Sequence, residues 1–144
     1  MPLSADTEIA RVLERTRTIA VVGASHKPER PSYRVMAFLL RQGYQVFPVN
    51  PGLAGRQLLG CEVYPVLASI PVAIDMVDVF RQSRYLADLV GEAIAAGART
   101  LWTQLGVVDT EAAATAERAG LEVVMDRCPA IEFPRLQAAG LLPH

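Results

Sequence analysis

This sequence predicts an α/β fold: a doubly wound, mainly parallel, five-stranded (or slightly larger) Rossmann-like sheet with helices on both faces. Three observations carry that prediction. Helix-periodic stretches stop at Gly43, Gly97 and Gly120, and each is followed at once by a short apolar run. Glycine takes the left-handed position after a helix, which lets the chain turn straight back into a strand. The apolar runs are unbroken rather than alternating, as expected of strands buried on both faces of a parallel sheet.

The elements follow in order. Ile9, Val12 and Leu13 recur at helical spacing, so a leading helix is expected over about 6–16. The run at 18–23 reads as the first strand. Val35/Leu39 and Met36/Leu40 pairs mark a second helix over about 32–42, with Ser32 as its N-cap, and 44–49 reads as strand. Gly55, Gly60, Pro65 and Pro71 break 53–71 into a long connection, with a short strand at 62–64 and one helical turn near 67–70. A strand at 74–80 comes next. A helix over 83–96, with Leu86, Leu89, Val90 and Ile94 on one face, leads to a strand at 99–102. A last helix–strand unit spans 110–119 and 121–125.

With 144 residues and no linker or low-complexity tract, the chain is expected to form one domain, 1–144. Its apolar runs are too short for a membrane span, and the first residues lack the pattern of a secretory signal. Cys61 and Cys128 form no CxxC pair, which fits a reducing compartment and argues against a zinc site. A cytoplasmic location is expected. The net charge of −1 hides an asymmetry: residues 1–60 carry eight Lys/Arg against four Asp/Glu, and 61–144 carry six against eleven. A basic first half without basic clusters suits a small anionic ligand and argues against nucleic acid.

Right-handed crossovers place all strand C-terminal ends on one edge, where ligands of such sheets bind. The first strand delivers Gly23-Ala24-Ser25, small enough for a phosphate to approach the backbone beside a helix N-terminus. With one glycine, this is not a G-x-G-x-x-G loop. Lys27, Arg30 and Arg34 follow; solvated charge is the ordinary reading of each. Arg81 differs, because it directly follows a buried strand at the ligand edge, and Phe80 beside it can present a ring to a base or a flexible arm. The second strand ends in Asn50-Pro51, where recognition of NAD requires a carboxylate for the ribose hydroxyls. A dinucleotide oxidoreductase is therefore disfavoured, while Arg56 leaves a phosphate-bearing ribose open.

Catalytic candidates are few. Asp75 and Asp78, three apart on one strand, point to opposite faces and form no acid–base pair. His26 reads as an exposed loop residue and His144 is terminal; neither has a nucleophile partner in a known motif. Cys128, before Pro129, reads as a buried thiol, and Trp102 as a core residue at a strand end.

The runs Ala-Val-Val-Gly-Ala-Ser (20–25), Pro-Glu-Arg-Pro-Ser-Tyr (28–33), Pro-Val-Asn-Pro (48–51), Val-Asp-Val-Phe-Arg (77–81), Gln-Leu-Gly-Val (104–107) and Met-Asp-Arg-Cys-Pro (125–129) belong together. They closely resemble the small stand-alone CoA-binding proteins of bacteria and archaea, which look like the isolated CoA-binding domain of the succinyl-CoA synthetase alpha subunit. The resemblance runs from about Ile9 to Phe133. It implies a domain that holds coenzyme A at the strand edge. By the match, Gly23, Ala24 and Ser25, with Lys27 in the same loop and the helix start at Ser32, would cradle the diphosphate. Asn50 and Pro51 would border the adenosine, Phe80 and Arg81 would flank it or the pantetheine, and Gln104 would lie near the same edge. Where the synthetase pattern has a lysine after the second strand, this chain offers Arg56.

The phosphohistidine and ATP-grasp parts of the synthetase are absent from this chain, so the resemblance implies a binding module without catalytic activity of its own. Three other readings stay open: an NAD(P)-dependent enzyme, a CoA-dependent interaction or sensor subunit of a separately encoded acyl-CoA ligase, and a mixed disulfide between Cys128 and CoA. A symmetric homodimer is the default oligomer.

Overall fold

The computed structural model describes all 144 residues. Helix α1 (Asp6–Arg15) leads into strand β1 (Thr18–Val22), α2 (Pro31–Arg41) and β2 (Gln45–Val49). A small antiparallel hairpin, β3 (Gln57–Leu58) and β4 (Cys61–Glu62), interrupts the long connection. Then come β5 (Met76–Val79), α3 (Leu86–Ala95), β6 (Thr100–Thr103), α4 (Thr110–Arg118), β7 (Glu122–Val124) and α5 (Pro129–Ala138). Short 3₁₀ turns sit at Pro51–Leu53, Leu67–Ser69 and Ser83–Tyr85.

The main sheet has the order β2-β1-β5-β6-β7, with every adjacent pair parallel. This is the doubly wound arrangement the alternation of elements predicts. The chain runs outward from β1 to β2, then crosses back to β5 and continues the other way. Its winding therefore reverses between β1 and β5, and a crevice opens at their C-terminal ends.

Strand alternation divides the core in two. Ile19, Val21, Met76 and Trp102 face α1, α2 and α5, while Ala20, Val22, Val77, Val79 and Leu101 face α3 and α4. The apolar seams of the helices close over these faces, and the burial of that surface is the main stabilising term. At the outer edge, the Leu3 N–H donates to the Val123 carbonyl of β7 at 2.7 Å. No helix is long and apolar enough to cross a membrane.

Three local differences from the sequence reading have physical causes. Helix α5 has no counterpart among the expected elements: it carries Pro134 in its interior, exposes Ile131 and buries Glu132, so its apolar periodicity is inverted. Glu132 tolerates burial because Arg127 and Arg135 both donate to its Oε1, at 2.8 and 2.9 Å. Helix α2 starts at Pro31 with Arg30, not Ser32, at the N-cap, since proline's fixed φ suits the first helical position. Asp75 lies ahead of β5 rather than in it; its Oδ2 accepts from the Arg17 and Thr18 N–H groups at 2.9 and 3.2 Å. That role holds the strand starts together, at the edge opposite the crevice.

Candidate functional site

The ends of β1, β2, β5 and β6 open into a cleft of about 760 Å³. Gly23, directly after β1, has φ +90°, and a Cβ there would stand 3.2 Å from the Phe80 carbonyl and from Cδ of Arg81. Only glycine meets both conditions without strain. The Gly23 and Ala24 N–H groups donate to the Val49 carbonyl of β2, at 3.0 and 3.3 Å. They are thus committed to the fold. The N–H groups of Ser25, His26 and Ser32 have no protein acceptor and lie on the cleft wall.

Ser25 shapes the next turn. Its Oγ accepts from the Lys27 N–H at 3.1 Å, and the Arg30 N–H returns to the Lys27 carbonyl at 3.0 Å. Lys27 and Arg30 consequently border the opening of α2, while Arg34 is exposed and does not line the cleft. Ser32, at the second helical position, is buried and still lines the cleft. The cations and the positive end of the α2 dipole act on the same space.

Asn50 joins two walls. Its Nδ2 donates to the Ala24 carbonyl at 2.7 Å, while its Oδ1 accepts from the Gly52 N–H at 2.8 Å and so caps the turn through Pro51. Both ends of the amide are in use, one as donor and one as acceptor. Arg56 does not join this group: it is exposed near the hairpin and outside the cleft, its backbone bonded to Leu53 and Val63.

From β5 come Phe80 and Arg81. The Arg81 guanidinium lies 4.2 Å from the Tyr85 ring centroid, and Arg84 takes a second position at 4.8 Å. The Arg81 stem packs over Gly23, so its charge is held at the cleft rim. From β6 comes Gln104, only 9 % exposed, whose Oε1 is buried without a hydrogen-bond partner. Its loop is braced: Asp126 Oδ1 accepts from the Gly106 N–H at 2.7 Å, and Ser83 Oγ from the Val108 N–H at 2.9 Å. Beneath this edge, Asp78 sits in β5 between Val21 and Trp102, fully buried, with neither carboxyl oxygen paired. Burial pushes its carboxyl well above the usual carboxylate range.

The structure therefore gathers Gly23, Ala24, Ser25, Lys27, Ser32, Asn50, Pro51, Phe80, Arg81 and Gln104 in one cleft. Cys128, Trp102 and His144 lie outside it, the first two in the core. His26 lines it as an exposed loop residue. The sequence reading missed a whole wall, made by Val66 and Leu67 with Leu89 and Glu92 of α3. A parallel bridge between Val49 and Tyr64 brings the 65–67 segment there. No local pattern announces that pairing, although the facing residues Leu86, Leu89 and Val90 of α3 were visible in its periodicity. No group of three His, Cys, Asp or Glu side chains is placed to hold a metal ion.

Comparison with known proteins gives a consistent result. A family model described as "CoA binding domain" matches residues 17–134. The uncharacterized protein YneT of Bacillus subtilis (strain 168) is 37% identical over 121 residues, covering 84% of this chain and 88% of the relative. A hypothetical protein from Pyrococcus horikoshii OT3 superposes with a TM-score of 0.89 at 40% identity, covering 95% of this chain and 96% of the other. A dinucleotide-forming acetyl-coenzyme A synthetase of Ca. Korarchaeum cryptofilum shares the fold, with a TM-score of 0.63 at 24% identity over 74% of this chain and 25% of that one.

Proposed function

The chain belongs to the CoA binding domain family, and from that premise we propose that it binds coenzyme A, free or acylated, in the cleft at the strand ends and acts as a binding module. The observation that carries this reading is the pairing of unengaged N–H groups at Ser25, His26 and Ser32 with the cations Lys27, Arg30 and Arg81 on one cleft wall. A diphosphate needs both: directed donors and compensating charge. Ser25 and the α2 opening would take the diphosphate, and Gly23 and Ala24 would let it come close by their small size. Pro51 and Phe80 would border the remaining parts of the ligand, and Arg56 takes no part.

Asn50 speaks against NAD as the ligand. Its nitrogen donates to Ala24 and its oxygen accepts from Gly52, so a neutral amide held by the two loops stands after β2 where NAD recognition uses a free carboxylate for the ribose hydroxyls. A catalytic role has little to draw on. Asp75 serves the opposite edge, Asp78 is sealed in the core, and His26 stands alone.

Native mass spectrometry of the purified protein, followed by calorimetric titration with CoA and NAD in parallel, tests the reading. CoA is expected to bind and NAD not to compete. Absence of CoA binding at millimolar ligand would end the proposal.

A further inference from the structure

Only three buried side-chain polar atoms lack a hydrogen-bond partner: both carboxyl oxygens of Asp78 and Oε1 of Gln104. The fold sets these two residues on adjacent strands. Asp78 of β5 is the register partner of Trp102 in β6, and the Gln104 N–H continues that ladder by donating to the Val79 carbonyl at 3.1 Å. Asp78 alternates with Val77 and Val79, which pack on the α3 and α4 side, so its carboxyl lies with Met76 and Trp102 on the other face. Gln104, two residues beyond Trp102, shares that face, where Ala24 and Phe80 also pack. Asp78 and Gln104 are thus diagonal neighbours, a separation that a long side chain spans. The Gln104 amide has its oxygen sealed inside, while Nε2 bonds to no protein group and is the end open to the cleft. An amide oxygen and an ionised carboxylate are both acceptors and have nothing to exchange. A proton on Asp78 makes its carboxyl a donor.

The surroundings favour that proton. From α1 and α2 only apolar side chains and Ser32 are buried against this face. The Trp102 indole N–H, the side-chain donor next across the ladder, is committed to the Arg127 carbonyl at 2.8 Å. The titratable groups on this side are the Cys128 thiol, Tyr33 and Tyr44 beside the core, and Glu132, which is already paired with Arg127 and Arg135. Lys27 and Arg30 are exposed on the cleft lining, and Arg81 turns to Tyr85 on the opposite face. Burial is the one influence that moves the Asp78 carboxyl, and it moves it upward.

We propose that Asp78 is a positioning residue for the cleft: carrying a proton, it donates to Gln104 Oε1 and so fixes the amide with Nε2 turned to the ligand. When Asp78 ionises, the bond reverses. The carboxylate needs a donor, the Gln104 amide rotates to supply Nε2, and Oε1 is left facing the cleft. The cleft floor changes from donor to acceptor, and a negative charge appears beneath it. Both changes disfavour an anion rich in acceptors, so affinity falls as pH rises through the titration of Asp78. That consequence rests on the coenzyme A reading; the coupling of the two side chains does not.

The test begins without ligand. The side-chain amide signals of Gln104, assigned by their loss in Gln104→Met, are followed by proton–nitrogen NMR across a pH series. In wild type they are expected to shift through one transition, with the midpoint at which the Asp78 carboxyl carbon titrates. In Asp78→Asn they are expected to show none, because the new amide donates to Oε1 at every pH; thermal unfolding checks that this variant is folded. Calorimetric titration with CoA over the same series is then compared between the two proteins, which cancels titration of the ligand's own phosphates. Wild-type affinity is expected to fall at least roughly threefold further than that of Asp78→Asn. Gln104 signals that ignore pH, or whose midpoint differs from that of Asp78, overturn the proposal. Equal pH profiles of CoA affinity in the two proteins overturn the positioning role. Failure of CoA to bind at any pH removes the functional proposal, while the NMR comparison still decides whether Asp78 holds Gln104.

Discussion

The Asn50 side-chain nitrogen lies 2.7 Å from the Ala24 carbonyl oxygen and ties the end of β2 to the loop after β1. The bond explains an asparagine where dinucleotide-binding sheets carry an acid. A carboxylate of the same shape could still cap Gly52, but it has no proton to give Ala24.

Asn50→Asp is therefore expected to lose about 1–3 kcal/mol of stability, as the Ala24 carbonyl faces an acceptor in place of a donor. CoA affinity falls with it, and no affinity for NAD appears. Urea unfolding and titration with both ligands check this. A gain in NAD binding would contradict the architectural role given to Asn50.

Gly23→Ala combines a left-handed backbone with close approach to Phe80 and Arg81. The backbone alone costs roughly 1–2 kcal/mol, and the contacts add to it. Thermal unfolding should show the loss, and CoA binding should weaken because Arg81 is displaced.

Ser25→Asp places negative charge beside the unengaged N–H groups without disturbing the core. Stability is expected to stay within about 0.5 kcal/mol of wild type, while CoA affinity falls at least roughly tenfold through repulsion of phosphate. Unchanged affinity would move the diphosphate away from this loop.

Asp78 makes stability depend on pH. In the unfolded chain its carboxyl ionises above its ordinary value of 3.8, whereas burial raises its folded-state pKa well above that value. The unfolded state then binds fewer protons, so this residue lowers stability as pH rises above that value. Asp78→Asn is expected to be more stable than wild type at neutral pH and to lose that advantage near pH 3. Denaturation across a pH series would detect it; a constant difference at every pH would argue against a neutral buried acid.

Much of this molecule could be read directly from its residues. The three helix–glycine–strand units are local: glycine stops each helix, and the apolar run that follows admits no other placement than a buried strand. The ligand edge follows from handedness, so residues 23, 50, 80, 81 and 104 could be brought together before any contact was seen. What escaped was non-local or inverted. The Val49–Tyr64 bridge that brings Val66 and Leu67 to the cleft joins two segments that each read as strand, but nothing in either says that they pair. The capture of the Gly23 and Ala24 N–H groups by Val49 is likewise a property of neighbouring strands, not of the loop. Helix α5 hid because paired charges allow Glu132 inside, leaving Ile131 outside.

The bond from Leu3 to Val123 has a consequence for self-association. Strand β7 closes the sheet on one flank, and an open flank invites another chain to add its own strand. The segment around Leu3 occupies one of the outward-facing carbonyls, and Met1 pins that segment by an ion pair to Glu117 on α4. The first residues thus work as a selvedge, keeping the margin of the sheet from sticking to its neighbours. Deleting residues 1–4 is expected to leave the cleft intact while making the protein prone to edge-to-edge polymerisation on concentration.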